Sequence, residues 1–128
     1  MRYAFLFLIA ILPDCTGDET LTGHGAADQV FVLRAINKEA FPARATIEFP
    51  QEGQIIGQGP CNRFTSTQGL PYPWFKAGPI AATKRACPDL QAETAYFAAL
   101  SRMTLSEVSG KTLILSTSEG ETMVFEAE

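Results

Sequence analysis

Histidine, tryptophan and cysteine are all scarce in this chain, and each scarcity excludes something. Its 128 residues hold one histidine, one tryptophan and three cysteines. The histidine, His24, stands between Gly23 and Gly25 in a polar stretch. A Ser–His–Asp or Cys–His pair would have to draw it from there into rigid near-attack geometry, so a solvated linker histidine is the expectation. Two cysteines in the body of the chain, with no histidine near them, are too few ligands for a structural zinc. No metal and no cofactor are therefore expected. No basic run is longer than Lys84-Arg85 and the formal net charge is −4, which argues against nucleic acid as a partner. No apolar run reaches the ~20 residues that a helix needs to cross a bilayer.

The longest apolar run lies at the N-terminus. Arg2 supplies a positive n-region, Ala4 to Leu12 an apolar h-region, and Pro13 ends any continuing helix. Residues 1–14 read as a signal peptide, which predicts export and a domain on the periplasmic face of the cell envelope. Cys15 follows as a lipid attachment point, with Leu12 three residues before it as in a lipobox. Asp14 departs from the small residue usual just before such a cysteine. The alternative is ordinary cleavage after Gly17, which discards Cys15. Residues 15–28 are polar, Gly-rich and aperiodic, and read as a flexible tether. Residues 29–128 suffice for one domain with one core.

Within that domain the patterning is mostly of strand type. Val30 to Ile36 reads as a largely buried first strand. Asn37 to Pro42 turns the chain, and Ala45 to Phe49 alternates with Ile47 and Phe49 on one face. Pro50 to Gly53 turns it again into a return strand, Gln54 to Gln58. Arg63 to Thr67 is a further short strand. Gly69 to Phe75, interrupted by Pro71 and Pro73, is an edge or loop. One helix starts near Asp89, with Leu90, Phe97 and Leu100 on a stripe expected to pack on the sheet and Tyr96 and Met103 beside it. Leu105 to Val108, Thr112 to Ser116 and Thr122 to Glu126 complete the strands. Strand runs around one helix, without βαβ alternation, predict an α+β, mainly antiparallel β architecture.

The two central cysteines sit in compact motifs, Gly59-Pro60-Cys61-Asn62-Arg63-Phe64 and Thr83-Lys84-Arg85-Ala86-Cys87-Pro88. In that order, and followed by an amphipathic helix with Glu93 and Phe97 and then two strands, they resemble the META domain (HslJ-like) family over about Val30 to Phe125. The resemblance implies a curved sheet forming a partial barrel with one packed amphipathic helix. It also implies a small bacterial envelope domain tied to stress responses. With Cys15 spent or discarded at the leader, one cysteine pair is left in an exported chain. A Cys61–Cys87 disulfide is its default state, and the resemblance implies the same bridge. Reactive thiols and metal ligation are the competing readings of that pair.

The remaining candidates are weighed by residue chemistry. Gly57-Gln58-Gly59-Pro60 is a bend and not a phosphate loop, because no helix follows and Pro60 lacks an N–H. Asn62 suits a left-handed corner or, less simply, a ligand contact. Arg63, Lys84 and Arg85 flank the cysteines and make either a small basic cluster for an anion or acidic partner or ordinary solvated charges that pair locally. Glu93, with Asp89, Glu107, Glu119 and Glu121, reads as dispersed surface charge. Tyr72, Trp74 and Phe75 form either an exposed contact patch or a cover over one end of the core. These readings predict a non-catalytic domain, held on the membrane through an N-terminal lipid, that acts by contact with another envelope component. The alternative is a small-ligand or inhibitor-like binding module using Tyr72, Trp74, Arg63, Lys84 and Arg85.

Overall fold

Alternation of inward and outward side chains builds most of the sheet. In the computed structural model, which describes residues 17–128, β4 (Gln54–Gln58) buries Ile55 and Gly57, and β5 (Arg63–Thr67) buries Phe64 and Ser66. β8 (Thr112–Ser116) buries Leu113 and Leu115, and β9 (Thr122–Ala127) buries Met123 and Phe125. The other strands are β1 (Phe31–Ile36), β2 (Glu39–Ala40), β3 (Thr46–Glu48), β6 (Ala81–Ala82) and β7 (Leu105–Ser109). Every pairing between them is antiparallel. The order is β6-β5-β4-β3-β1-β9-β8-β7, with β2 folded back on β1. One helix, α1 (Leu90–Arg102), packs on this sheet. The fold is α+β and mainly antiparallel, as the sequence predicts, and the sheet stays open rather than closing into a barrel. The predicted leader, residues 1–14, and Cys15 lie outside the described residues.

Two local features shape β1. Asn37 and Lys38 both have positive φ, 50° and 68°. They form a two-residue hairpin turn whose twist matches that of the flanking strands. Asn37 Oδ1 accepts from Thr122 N at 3.0 Å, which fastens this turn to β9. The register between β1 and β9 shifts between Leu33 and Ala35, so Arg34 is an extra residue that bends the strand.

The buried face of α1 is Glu93, Tyr96, Ala99 and Leu100, with Met103 just beyond its end. This corrects the predicted stripe. Leu90 is 43% exposed, and Glu93, expected on the surface, is 3% exposed. Tyr96 lies at the centre of the core, edge-on to Phe64 with ring centroids 5.6 Å apart. Its hydroxyl donates to Thr46 O at 3.1 Å. Burial pushes the Tyr96 phenol pKa far above its ordinary value.

The N-terminal segment also differs from expectation. From Thr20 onward the predicted tether is part of the packed domain. Leu21–His24 forms a single 3-10 turn, and Leu21 and Ala26 are 1% and 0% exposed within the core cluster. Thr22 Oγ1 donates to Gln51 O, tying this turn to the β3–β4 connection. His24 is not a free linker residue either. Its ring stacks on Tyr72 at 4.5 Å, and its Nδ1 lies 2.9 Å from Thr20 O. Composition hid this segment because a single leucine and one alanine carry the packing.

The segment between β5 and β6 reaches both ends of the strand order. Near β5, Gly78 N donates to Thr67 O at 2.8 Å and Gln68 N to Gly53 O at 3.0 Å. At the other end Trp74 bridges to Leu105. Phe75 N donates to Thr104 O at 2.9 Å and Ser106 N to Pro73 O at 2.7 Å. Val108 N donates to the Tyr72 hydroxyl at 3.1 Å. The outer edge of β7 is thus satisfied by this loop and not left as a bare template for pairing.

Candidate functional site

The two cysteine motifs and the start of α1 meet in one cluster. The 59–62 corner is closed by Gly59 N donating to Asn62 O at 2.7 Å. That corner points two backbone N–H groups at a helix side chain. Glu93 Oε1 accepts from Cys61 N at 3.1 Å and from Asn62 N at 2.7 Å. Glu93 Oε2 accepts from Asn62 Nδ2 at 2.7 Å. All three partners are donors, so a buried carboxylate is compensated by amide N–H groups, the condition under which such a group can be buried at all. Gly59 is required here for space, because a methyl group on it would land on the Glu93 carboxylate.

Asn62 carries the connection further. Its Oδ1 accepts from Thr83 Oγ1 at 2.9 Å and from Arg85 N at 2.6 Å. Its Nδ2 also donates to Arg85 O at 3.0 Å. One amide therefore holds the helix on one side and the 83–87 loop on the other. Cys61 and Cys87 are disulfide-bonded, with Cα atoms 5.6 Å apart across a sequence separation of 26. The bridge lies beside the same cluster and ties the 59–62 corner to the 83–87 loop. Gly59, Cys61, Asn62, Thr83, Cys87 and Glu93 together form a clasp, and among the described residues no buried polar side-chain atom lacks a partner.

The structure sorts the predicted binding residues. Asn62, 4% exposed, faces inward and is committed to the clasp; its backbone is not left-handed as expected, and its side-chain amide, not its φ, carries the structural role. Arg63 and Arg85 are exposed and line a small depression of about 110 Å³ with Gln58, Cys61 and Thr83. Lys84 is exposed but is not among the residues lining it. Tyr72 and Trp74 are not there either. They lie on the loop along β7, at the opposite end of the strand order from β6. The aromatic pair and the arginines therefore do not line that depression together. Sequence reasoning missed Glu93 and Gly59 as members of the clasp. The available signal was an acidic residue at helical spacing ahead of Tyr96, Leu100 and Met103.

The aromatic loop divides its side chains by role. Phe75 is 1% exposed and meets Phe49 edge-on at 6.5 Å. Tyr72 is half-buried between His24 and β7. Trp74 is 57% exposed and Leu70 40% exposed. The loop thus covers the core with Phe75, as one sequence reading expects, and presents Trp74 outward. Among the described residues no cluster of three or more His, Cys, Asp or Glu side chains gathers as a metal site. No described helix is long and apolar enough to cross a membrane.

These features define a small open-sheet domain with one packed helix and a disulfide beside a buried Asn–Glu pair. The META domain model matches residues 21–128, and the chain belongs to the META domain family. That match begins at Leu21, the first buried apolar side chain of the described segment. Two solved structures share the fold. One is an NMR structure of a protein from Burkholderia xenovorans, 24% identical, covering 93% of each chain with a TM-score of 0.68. Another NMR structure is 21% identical and covers 80% of this chain and 91% of its own, with a TM-score of 0.61. None of the curated proteins matches the chain.

Proposed function

We propose that this META domain is an exported, non-catalytic protein, lipid-anchored at Cys15, that works in the cell envelope by contact with another component. The observation that carries the reading is the commitment of the motif residues to one another. Asn62 spends both ends of its amide, and Glu93 both carboxylate oxygens, on holding the fold. Acid–base chemistry needs a group free to meet substrate, and these polar groups are occupied. The Cys61–Cys87 disulfide supports export, since such bonds persist in oxidising compartments. The leader pattern and Cys15 support an anchor.

Mass spectrometry of the exported protein tests the anchor. The expected result is a chain that begins at Cys15 and carries acyl groups. An unmodified N-terminus at Asp18 would overturn it. Crosslinking in intact cells, followed by identification of what is trapped, tests the contact. Recovery of the chain joined to nothing, at a level where neighbouring lipoproteins are captured, would count against it.

A further inference from the structure

We infer that the Leu70–Trp74 loop is a membrane-contacting surface that seats the domain on the zwitterionic headgroup layer of a bilayer. The inference rests on the lipid-anchored reading and says how the anchored domain is oriented.

Four apolar residues within five positions face outward here: Leu70, Pro71, Pro73 and Trp74 are all exposed. Leu70 and Trp74 are two of the three large hydrophobic residues exposed among those described. The loop is held from below. The buried Gln68 side chain accepts from Leu70 N at 2.8 Å and donates to Leu70 O at 3.0 Å. Trp74 N donates to Pro71 O at 2.9 Å, and Phe75 and Tyr72 root the segment in the core and on β7. A rigid apolar knuckle loses little conformational freedom on insertion. An indole, apolar with one N–H, is suited to the boundary between headgroups and acyl chains.

The chain's own path supplies the occupant. Tyr72 N donates to Glu19 O at 2.7 Å, so the N-terminal segment runs directly against this loop. Cys15 is four residues before Glu19. Even a fully extended chain places a lipid on Cys15 within about 14 Å of that carbonyl. A bilayer holding that lipid lies beside Trp74. Charge selects among bilayers. Glu19 adjoins the loop, with Asp18 one residue before it, Glu107 sits on the β7 edge that the loop covers, and Lys76 follows Trp74 by two residues. Together with a net charge of −4, this gives anionic lipid no advantage.

Trp74 is the single tryptophan, so all indole emission reports this loop. The lipidated protein, purified from membranes, is reconstituted into phosphatidylcholine vesicles with or without bromine on the acyl chains near the glycerol. The expected result is a blue-shifted emission that falls at least about twofold on the brominated lipid. Leu70→Ser is expected to weaken that quenching, and added phosphatidylglycerol is expected not to increase it. Flotation of the protein with vesicles while Trp74 emission stays water-like and unquenched would overturn the inference and leave the anchor intact. A chain found to start at Asp18 without lipid would remove the anchor. In that case the unlipidated protein added to the same vesicles decides, quenching supporting the surface and its absence overturning it.

Discussion

Asn62 Nδ2 donates to Glu93 Oε2 across 2.7 Å, with both side chains buried. The contact joins a hairpin corner to a helix 31 residues further along the chain. The same asparagine also accepts from the 83–87 loop.

Replacing either partner should therefore cost more than an ordinary hydrogen bond. Glu93→Gln puts an amide NH2 where an oxygen now accepts, so two donors face each other at Asn62 or at the 61–62 backbone. The expected loss is about 2–4 kcal/mol, since hydrogen bonds to a charged group and an unsatisfied buried donor are both involved. Asn62→Ala should cost a similar amount. Chemical denaturation of the two single variants and the double variant measures their coupling. Strictly additive losses would show that the residues act independently.

The disulfide makes a distinct prediction. Closing 26 residues of chain corresponds to about 3.5 kcal/mol in the chain-entropy picture. Cys61→Ser and Cys87→Ser should each lower stability by roughly 2–4 kcal/mol, and the double variant by about the same. Reductant should destabilise the wild type and leave the variants nearly unmoved. Free thiols at both positions in oxidised, folded protein would contradict the bridge.

Leu21→Ala tests the N-terminal packing. A tether residue would tolerate the change, whereas a leucine 1% exposed in the core should cost about 2–4 kcal/mol. His24→Ala should cost less, about 0.5–1.5 kcal/mol, because an exposed ring loses its stack on Tyr72 and its contact with Thr20 O. A null result for Leu21→Ala in thermal denaturation would restore the tether.

The alternating strands were legible in the sequence. β4, β5 and β8 fall where alternation and turn residues put them, because a half-buried strand writes its burial directly into its pattern. The helix was legible in place but not in rotation. Leu90 and Phe97 outweighed Glu93 in any hydrophobic count, yet the clasp rewards burial of the carboxylate and leaves Leu90 at the surface. The 20–28 segment was illegible because threonine, glycine and alanine make up six of its nine residues and it has one large apolar side chain, Leu21. β6 was hidden too, for a two-residue strand carries no period. The motif pair pointed to the right residues without disclosing that Glu93 completes them.

Tyr96 gives the pH prediction. Burial holds its phenol neutral in the folded protein, so its folded pKa lies above the unfolded value of about 10. That contribution is fully present below pH 10 and is lost as pH rises above it, because the unfolded chain ionises and the folded one does not. Tyr96→Phe should flatten this alkaline decline by about one proton's worth, roughly 1.4 kcal/mol per pH unit. It should also lower stability near neutrality by about 1 kcal/mol through loss of the bond to Thr46 O. Parallel alkaline curves for the two proteins would contradict the assignment.

The central pairing of β1 with β9 has a consequence for how the molecule comes into being. Phe31 pairs with Ala127, and Glu128 N reaches Val30 O, so the first strand waits for the last residues of the chain. A nascent or partly threaded polypeptide offers β1 no neighbour on that side, and Leu33 and Phe31 lack the surface that will cover them. Closure is long-range and therefore late and comparatively slow. Until β9 has been made, β1 can pair only with β2 and β3, so this edge of the sheet is open in the incomplete chain, a property in keeping with the export proposed above.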